Sequence, residues 1–128
     1  MNLLLDTHVA LWAITDDKKL STTARELILA PRANVWVSVA SLWEIAIKYS
    51  LGRGDMPVSG LDALAYFRQA GYRILAIEPE HVVAIADLPA HHQDPFDRLL
   101  IAQALVEPMR LITHDSKVAS YSETIIYV

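Results

Sequence analysis

Four carboxylates carry the first chemical signal in this chain. Asp6 closes the apolar run LLLD, Glu44 lies within SLWEIAIK, Asp97 within DPFDRLL, and Asp115 closes LITHD. Two of them end aliphatic runs short enough for strands, and the other two fall in the opening turns of helically periodic segments. Carboxylates held close together raise one another's pKa unless a cation fills the gap between them. With only oxygen donors converging and no cysteine in the chain, the fitting ions are Mg²⁺ or Mn²⁺, which keep several waters in an octahedral shell. Such an ion activates water and neutralises charge on a phosphodiester under attack, so the chemistry indicated is phosphodiester hydrolysis.

For these acids to meet, the elements between them must return to one edge. Short aliphatic or β-branched runs at 3–5, 35–37, 74–77, 111–113 and 125–127 predict strands, and the periodic stretches 8–14, 22–30, 39–50, 61–70, 80–87 and 96–106 predict helices. Helix starts are marked by Ser59 with Asp62 three residues on, by Glu78 before Pro79 and by Asp94 before Pro95. Strands that are apolar throughout and alternate with helices imply an α/β fold, an open, mostly parallel sheet covered on both faces in three layers. Such sheets place their sites beyond the carboxyl ends of the strands, where the four acids are expected.

Composition bounds the reading further. A chain of 128 residues without a Pro/Gly/Ser-rich linker is expected to form one domain over 1–128. The absence of cysteine removes disulfides, thiol catalysis and thiolate metal sites. Eleven Lys and Arg against 15 Asp and Glu give a net charge of −4, which lacks the broad basic footprint of a general duplex-DNA binder. The N-terminus has no basic stretch and reaches Asp6 at once, so no secretory signal is read, and no apolar run is long enough to span a membrane. A soluble, cytoplasmic protein is expected.

Each acid also has a structural reading. Ser41 with Glu44 matches a capping box. Asp97 gains from the positive end of its helix, Asp94 fits an N-cap, and Asp115 fits a turn closing its strand. Asp6 is the hardest to explain away, because burying a carboxylate behind three leucines is costly without a partner.

Taken together, LLLDTHVALWA at 3–13, SVASLWEIAIKYSLGR at 38–53, LPAHHQDPFDRLLIAQA at 88–104 and LITHD at 111–115 resemble the PIN-domain proteins of the VapC-like toxin ribonuclease group. The resemblance covers nearly the whole chain. It implies that Asp6, Glu44, Asp97 and Asp115 form the Mg²⁺ or Mn²⁺ site of an endoribonuclease cutting RNA, in several relatives transfer RNA. It further implies a homodimer held inactive by a cognate antitoxin protein.

Around the acids, Thr7 and Thr113 are expected either to orient Asp6 and Asp115 or merely to satisfy strand-end backbone groups. Lys48, four residues after Glu44, reads equally as a surface ion pair and as a phosphate contact. Arg98 is the better candidate for holding RNA phosphates, and Arg53 reads as a solvated loop charge. Trp12, Trp36 and Trp43 read as core, with Trp12 and Trp43 also placed to line an antitoxin groove. His91 and His92 read as exposed loop residues. Two rivals remain. A different magnesium-dependent phosphoryl enzyme fares worse, since His8 stands where a dehalogenase-like phosphatase needs a second Asp and no P-loop motif is present. A non-catalytic binding module, whose acids only cap helices, would be indifferent to Mn²⁺.

Overall fold

Three of the strands run directly into a residue able to cap the next helix. In the computed structural model, which describes residues 1–52 and 56–128, β1 (Asn2–Leu5) ends at Asp6, whose carboxylate accepts from the Val9 amide at 2.9 Å and opens α1 (Thr7–Thr15). After α2 (Thr22–Leu29), β2 (Asn34–Ser38) ends on Ser38, whose hydroxyl accepts from the Ala40 amide and opens α3 (Val39–Ser50). Next come α4 (Gly60–Gln69), β3 (Arg73–Leu75), α5 (Pro79–Ala84) with a 3-10 turn at Ile85–Asp87, and α6 (Pro95–Val106). The chain then forms β4 (Arg110–Thr113), whose end leads to Asp115 as N-cap of the short α7 (Ser116–Ala119), and β5 (Ile126–Tyr127). A polar side chain that satisfies otherwise orphaned helix amides explains each of these strand-to-helix changes.

The sheet order is β3-β2-β1-β4-β5 and every neighbouring pair is parallel. Leu3 and Leu5 face one core with Val9, Ile45, Phe67 and Ile112, while Leu4 faces a second core with Leu100, Ile101, Leu111 and Val118. Alternate residues of a single strand thus feed two helical layers, which gives the expected three-layer α/β/α arrangement. The chain leaves β1 toward β2 on one side and returns to β4 on the other, so the β1/β4 boundary is the point where strand order reverses. Ligands of open parallel sheets bind at such a point.

The expected strands and helices are all present, with ends shifted by a few residues at most. The sequence reading lacked α7, whose single turn is too short to show a period. The Ser41–Glu44 capping box is also corrected: Ser38 is the cap, and Ser41 and Glu44 lie inside α3. Arg53 lies outside the described residues. Among the described residues no helix is long and apolar enough to cross a membrane.

Candidate functional site

Asp6 and Asp115 follow adjacent strands, and both line one cavity of ≈ 250 Å³ at the sheet edge. Asp6 is buried; its second oxygen accepts from the Thr113 hydroxyl at 2.5 Å. Asp97 enters from the first turn of α6, which Asp94 caps by accepting from the Phe96 and Asp97 amides at 2.9 and 3.0 Å. Glu44 enters from α3 and is 4% exposed. Its two oxygens meet the Thr7 hydroxyl at 2.7 Å and the Lys48 ammonium at 2.6 Å.

Electrostatics join these groups. Burial is the main cause that pushes the Asp97 carboxyl up to about 7, and Asp94, Asp6 and Glu44 add to it as like charges, with His92 opposing. Burial also raises Asp6, against the lowering effect of the Thr113 and Val9 hydrogen bonds. Negative charge has therefore been gathered faster than the protein neutralises it, which is the condition that a bound cation relieves.

His92 was read as an exposed loop residue; it is instead part of the cluster. Its Nε2 lies 2.8 Å from Asp97 Oδ2 and 3.4 Å from Asp115 Oδ2, and ligating atoms of the three residues all fall within 4.8 Å of one another. Nδ1 accepts from the Gln93 amide at 3.0 Å. With Nδ1 accepting, the ring proton is assigned to Nε2, which then faces Asp97 and Asp115 as a donor. The donors left to hold a cation are hard carboxylate oxygens, which fit Mg²⁺ or Mn²⁺. In the sequence, His92 five residues before Asp97 carried no periodic signal, because the connecting loop and not a helix brings them together.

Several partners differ from those expected. The Thr7 hydroxyl donates to Glu44 at 2.7 Å, with Ser41 Oγ a further 2.9 Å contact. Thr113 holds Asp6 across the sheet and accepts from the Asp115 amide at 3.0 Å. The Lys48–Glu44 pair sits against a buried carboxylate and is not a surface pair. Trp43 is 55% exposed and packs edge-on against Phe96 at 5.0 Å, so it is not core.

Arg98 is spent on the protein. Its guanidinium nitrogens lie 3.0–3.4 Å from the carbonyls of Ile85, Leu88, Pro89 and His92 and from the Tyr121 hydroxyl. Tyr121 also accepts from the His92 amide at 2.7 Å. This geometry corrects the expectation of a phosphate contact: Arg98 clamps the loop that presents His92 to Asp97. Replacing Arg98 by Met removes charge-assisted hydrogen bonds from several carbonyls at once. The expected cost is about 2–3 kcal/mol in urea unfolding, with loss of the His92 Nε2–H resonance from its hydrogen-bonded position. An unchanged midpoint and resonance would show that the loop is held by other contacts.

Residues 3–123 match the sequence pattern of the family described as PIN domain. The chain belongs to the PIN-domain family. It is 29% identical to Ribonuclease VapC22 of Mycobacterium tuberculosis, over 93% of this chain and 91% of that protein. The fold of this PIN domain also matches solved structures. A chain in VapBC2 from Rickettsia felis bound to a DNA fragment from their promoter superimposes with a TM-score of 0.71 at 18% identity, covering 100% of this chain and 98% of that one. DNA-bound VapBC from Salmonella typhimurium gives 0.69 at 15% identity, covering 100% and 97%. VapBC-1 from nontypeable Haemophilus influenzae gives 0.66 at 17% identity, with the same coverage.

Proposed function

We propose that this PIN domain is a divalent-cation-dependent endoribonuclease that serves as the toxin of a toxin–antitoxin pair. The observation that carries the reading is the convergence of Asp6, Asp97 and Asp115 at the point where strand order reverses, with Asp97 pushed up to about 7 by burial and like charge. The naming of VapC22 as a ribonuclease and of the structural relatives as VapBC complexes supports the same reading.

Asp6, Asp97 and Asp115 are the acids placed to hold Mg²⁺ or Mn²⁺. When bound, such an ion supplies an activated water and neutralises charge on the phosphodiester. Glu44, whose oxygens are already held by Thr7 and Lys48, completes the four-acid set from behind and is suited to orienting water. Thr113 fixes Asp6, and His92 fixes Asp97, so that neither carboxylate rotates away when substrate enters. The acids exclude an RNA phosphate unless a cation is present, which makes binding of the strand itself dependent on metal. Transfer RNA is the substrate class implied by the resemblance, and a homodimer bound by its antitoxin is the resting assembly.

The reading is tested with chelator-stripped protein and end-labelled transfer RNA or total RNA, with and without Mn²⁺. Discrete cuts that require Mn²⁺ are expected. No cleavage of any RNA at any Mn²⁺ concentration would overturn the ribonuclease assignment.

A further inference from the structure

Glu44 is the acid of this site that meets a lysine. Asp6, Asp97 and Asp115 are partnered by hydroxyl, amide and imidazole groups, and ligating atoms of His92, Asp97 and Asp115 gather within 4.8 Å of one another. Asp6 joins them through the cavity it lines with Asp115, and Glu44 is not among the residues of that cavity. Glu44 Oε1 accepts from the Thr7 hydroxyl at 2.7 Å, and Oε2 accepts from the Lys48 ammonium at 2.6 Å. Glu44 and Lys48 lie one turn apart on α3 with the acid on the amino-terminal side, the favourable order for a helical pair. The Glu44 side chain is 5% exposed and that of Lys48 26%, so water screens the pair little on the acid's side. Because one helix carries both partners, the ammonium is there whether or not metal is bound.

We propose that Lys48 stands in place of a second metal ion: the three aspartates take one divalent cation, and the lysine ammonium is the permanent counter-charge of Glu44. The proposal rests on the cation-dependent reading above and deepens it by fixing how many ions the site takes. A divalent ion coming to Glu44 would have to displace an ammonium already at contact distance, or share an oxygen with it as a like charge. The aspartates present the opposite case. Asp97 is pushed up to about 7, by burial first and then by the charges of Asp94, Asp6 and Glu44. Negative charge is thus left over on one side of the site and matched on the other. In sites that use two ions, the second adds positive charge beside the displaced oxygens. An ammonium tethered by α3 supplies charge of the same sign without being recruited from solution. Lys48 acts through Glu44 and is a positioning residue: it decides which Glu44 oxygen stays with Thr7 and which is turned away from it.

The test uses the full chain stripped of metal by chelator, as the unmutated protein, Lys48→Met, Lys48→Arg, and Lys48→Met combined with Glu44→Gln. Mn²⁺ is titrated calorimetrically in neutral buffer. The saturated samples are then examined by electron paramagnetic resonance, which separates a lone Mn²⁺ from two that lie close together. The unmutated protein and Lys48→Arg are expected to bind one Mn²⁺ per chain, with the signal of an isolated ion. Lys48→Met should bind two with a coupled signal, the second at least about tenfold more weakly than the first because it meets a like charge. The double variant should return to one, since the second ion has lost its acid. Without metal, Lys48→Met should melt about 10 °C below the unmutated protein, because a buried carboxylate is left unpaired, and saturating Mn²⁺ should remove most of that difference. A lysine that merely held α3 together would lower the melt and leave the number of ions unchanged. Circular dichroism checks the fold of each variant, and Lys48→Gln replaces Lys48→Met should that one not fold.

Two coupled ions in the unmutated protein, or a single ion in the folded Lys48 variant, overturns the proposal and leaves the ribonuclease reading standing. One ion in the unmutated protein and two in Lys48→Met, with no RNA cleaved, sustains it and overturns the hydrolytic reading alone. If the unmutated protein binds no Mn²⁺, the cation-dependent reading falls and the proposal falls with it.

Discussion

Replacing Asp97 by Asn is expected to lower RNA cleavage by at least about 10²–10³-fold while making the metal-free protein more stable. The loss is expected because, in the proposed reading, Asp97 supplies one of the few oxygens that would hold the ion. The gain follows from the same charge viewed without its counter-ion. In the folded chain the Asp97 carboxyl is pushed up to about 7 by burial and by Asp94, Asp6 and Glu44, so above that pH its ionisation works against folding. Asn keeps the size and a hydrogen-bonding oxygen for His92 but carries no charge. At about 1.4 kcal/mol per pH unit, the expected gain at pH 7.5 is roughly 2–4 kcal/mol, read as a rise in the urea midpoint without metal. A variant that is inactive and also less stable would make Asp97 chiefly a helix-start residue.

Stability without metal is expected to fall as pH rises, and Mn²⁺ is expected to restore it. Asp97 and Asp6 both hold their protons more tightly folded than unfolded. Their contribution is therefore fully present below about pH 4, the unfolded value, and is lost as pH climbs through the folded value of Asp97 near 7. Mn²⁺ must displace the remaining proton to bind. Its affinity should rise about tenfold per pH unit below 7 and level off above it. At 100 times its Kd, the ion should add about 2.7 kcal/mol to stability. Thermal melts from pH 5 to 8, with chelator and with Mn²⁺, should diverge as pH rises to about 7 and run parallel above it. Parallel curves across that range would mean that the carboxylates do not share a cation.

Much of this site was legible before any coordinates, for a physical reason. Apolar runs such as LLL and LIT are too short for helices and read as buried strands, so the acids that follow them are expected at the sheet edge. Asp94 before Pro95 and Ser59 before Asp62 named their helices because capping is chemistry local to a few residues. The misreadings fall where the partner is distant in sequence. Thr113 reaches Asp6 across 107 positions and Thr7 reaches Glu44 across 37, pairings that strand order decides. Arg98 carried the charge of a phosphate ligand, yet its neighbours are carbonyls of a loop whose path no periodicity describes. His92 was read with His91 as an exposed loop residue, but the loop turns the His92 ring toward Asp97. Trp12 has no Lys or Arg interleaved with it in its apolar run, while in space His114 from the far end of the chain meets it.

The central claim is that Asp6, Asp97 and Asp115, carried by separate elements, together hold a divalent cation. It is tested most directly by crystals grown with MnCl₂ and measured at a wavelength where manganese scatters anomalously. The expected result is an anomalous peak within bonding distance of Asp6, Asp97 and Asp115, absent from crystals of Asp97→Asn. A map with no peak among these acids, at Mn²⁺ concentrations that saturate the protein in solution, would contradict it.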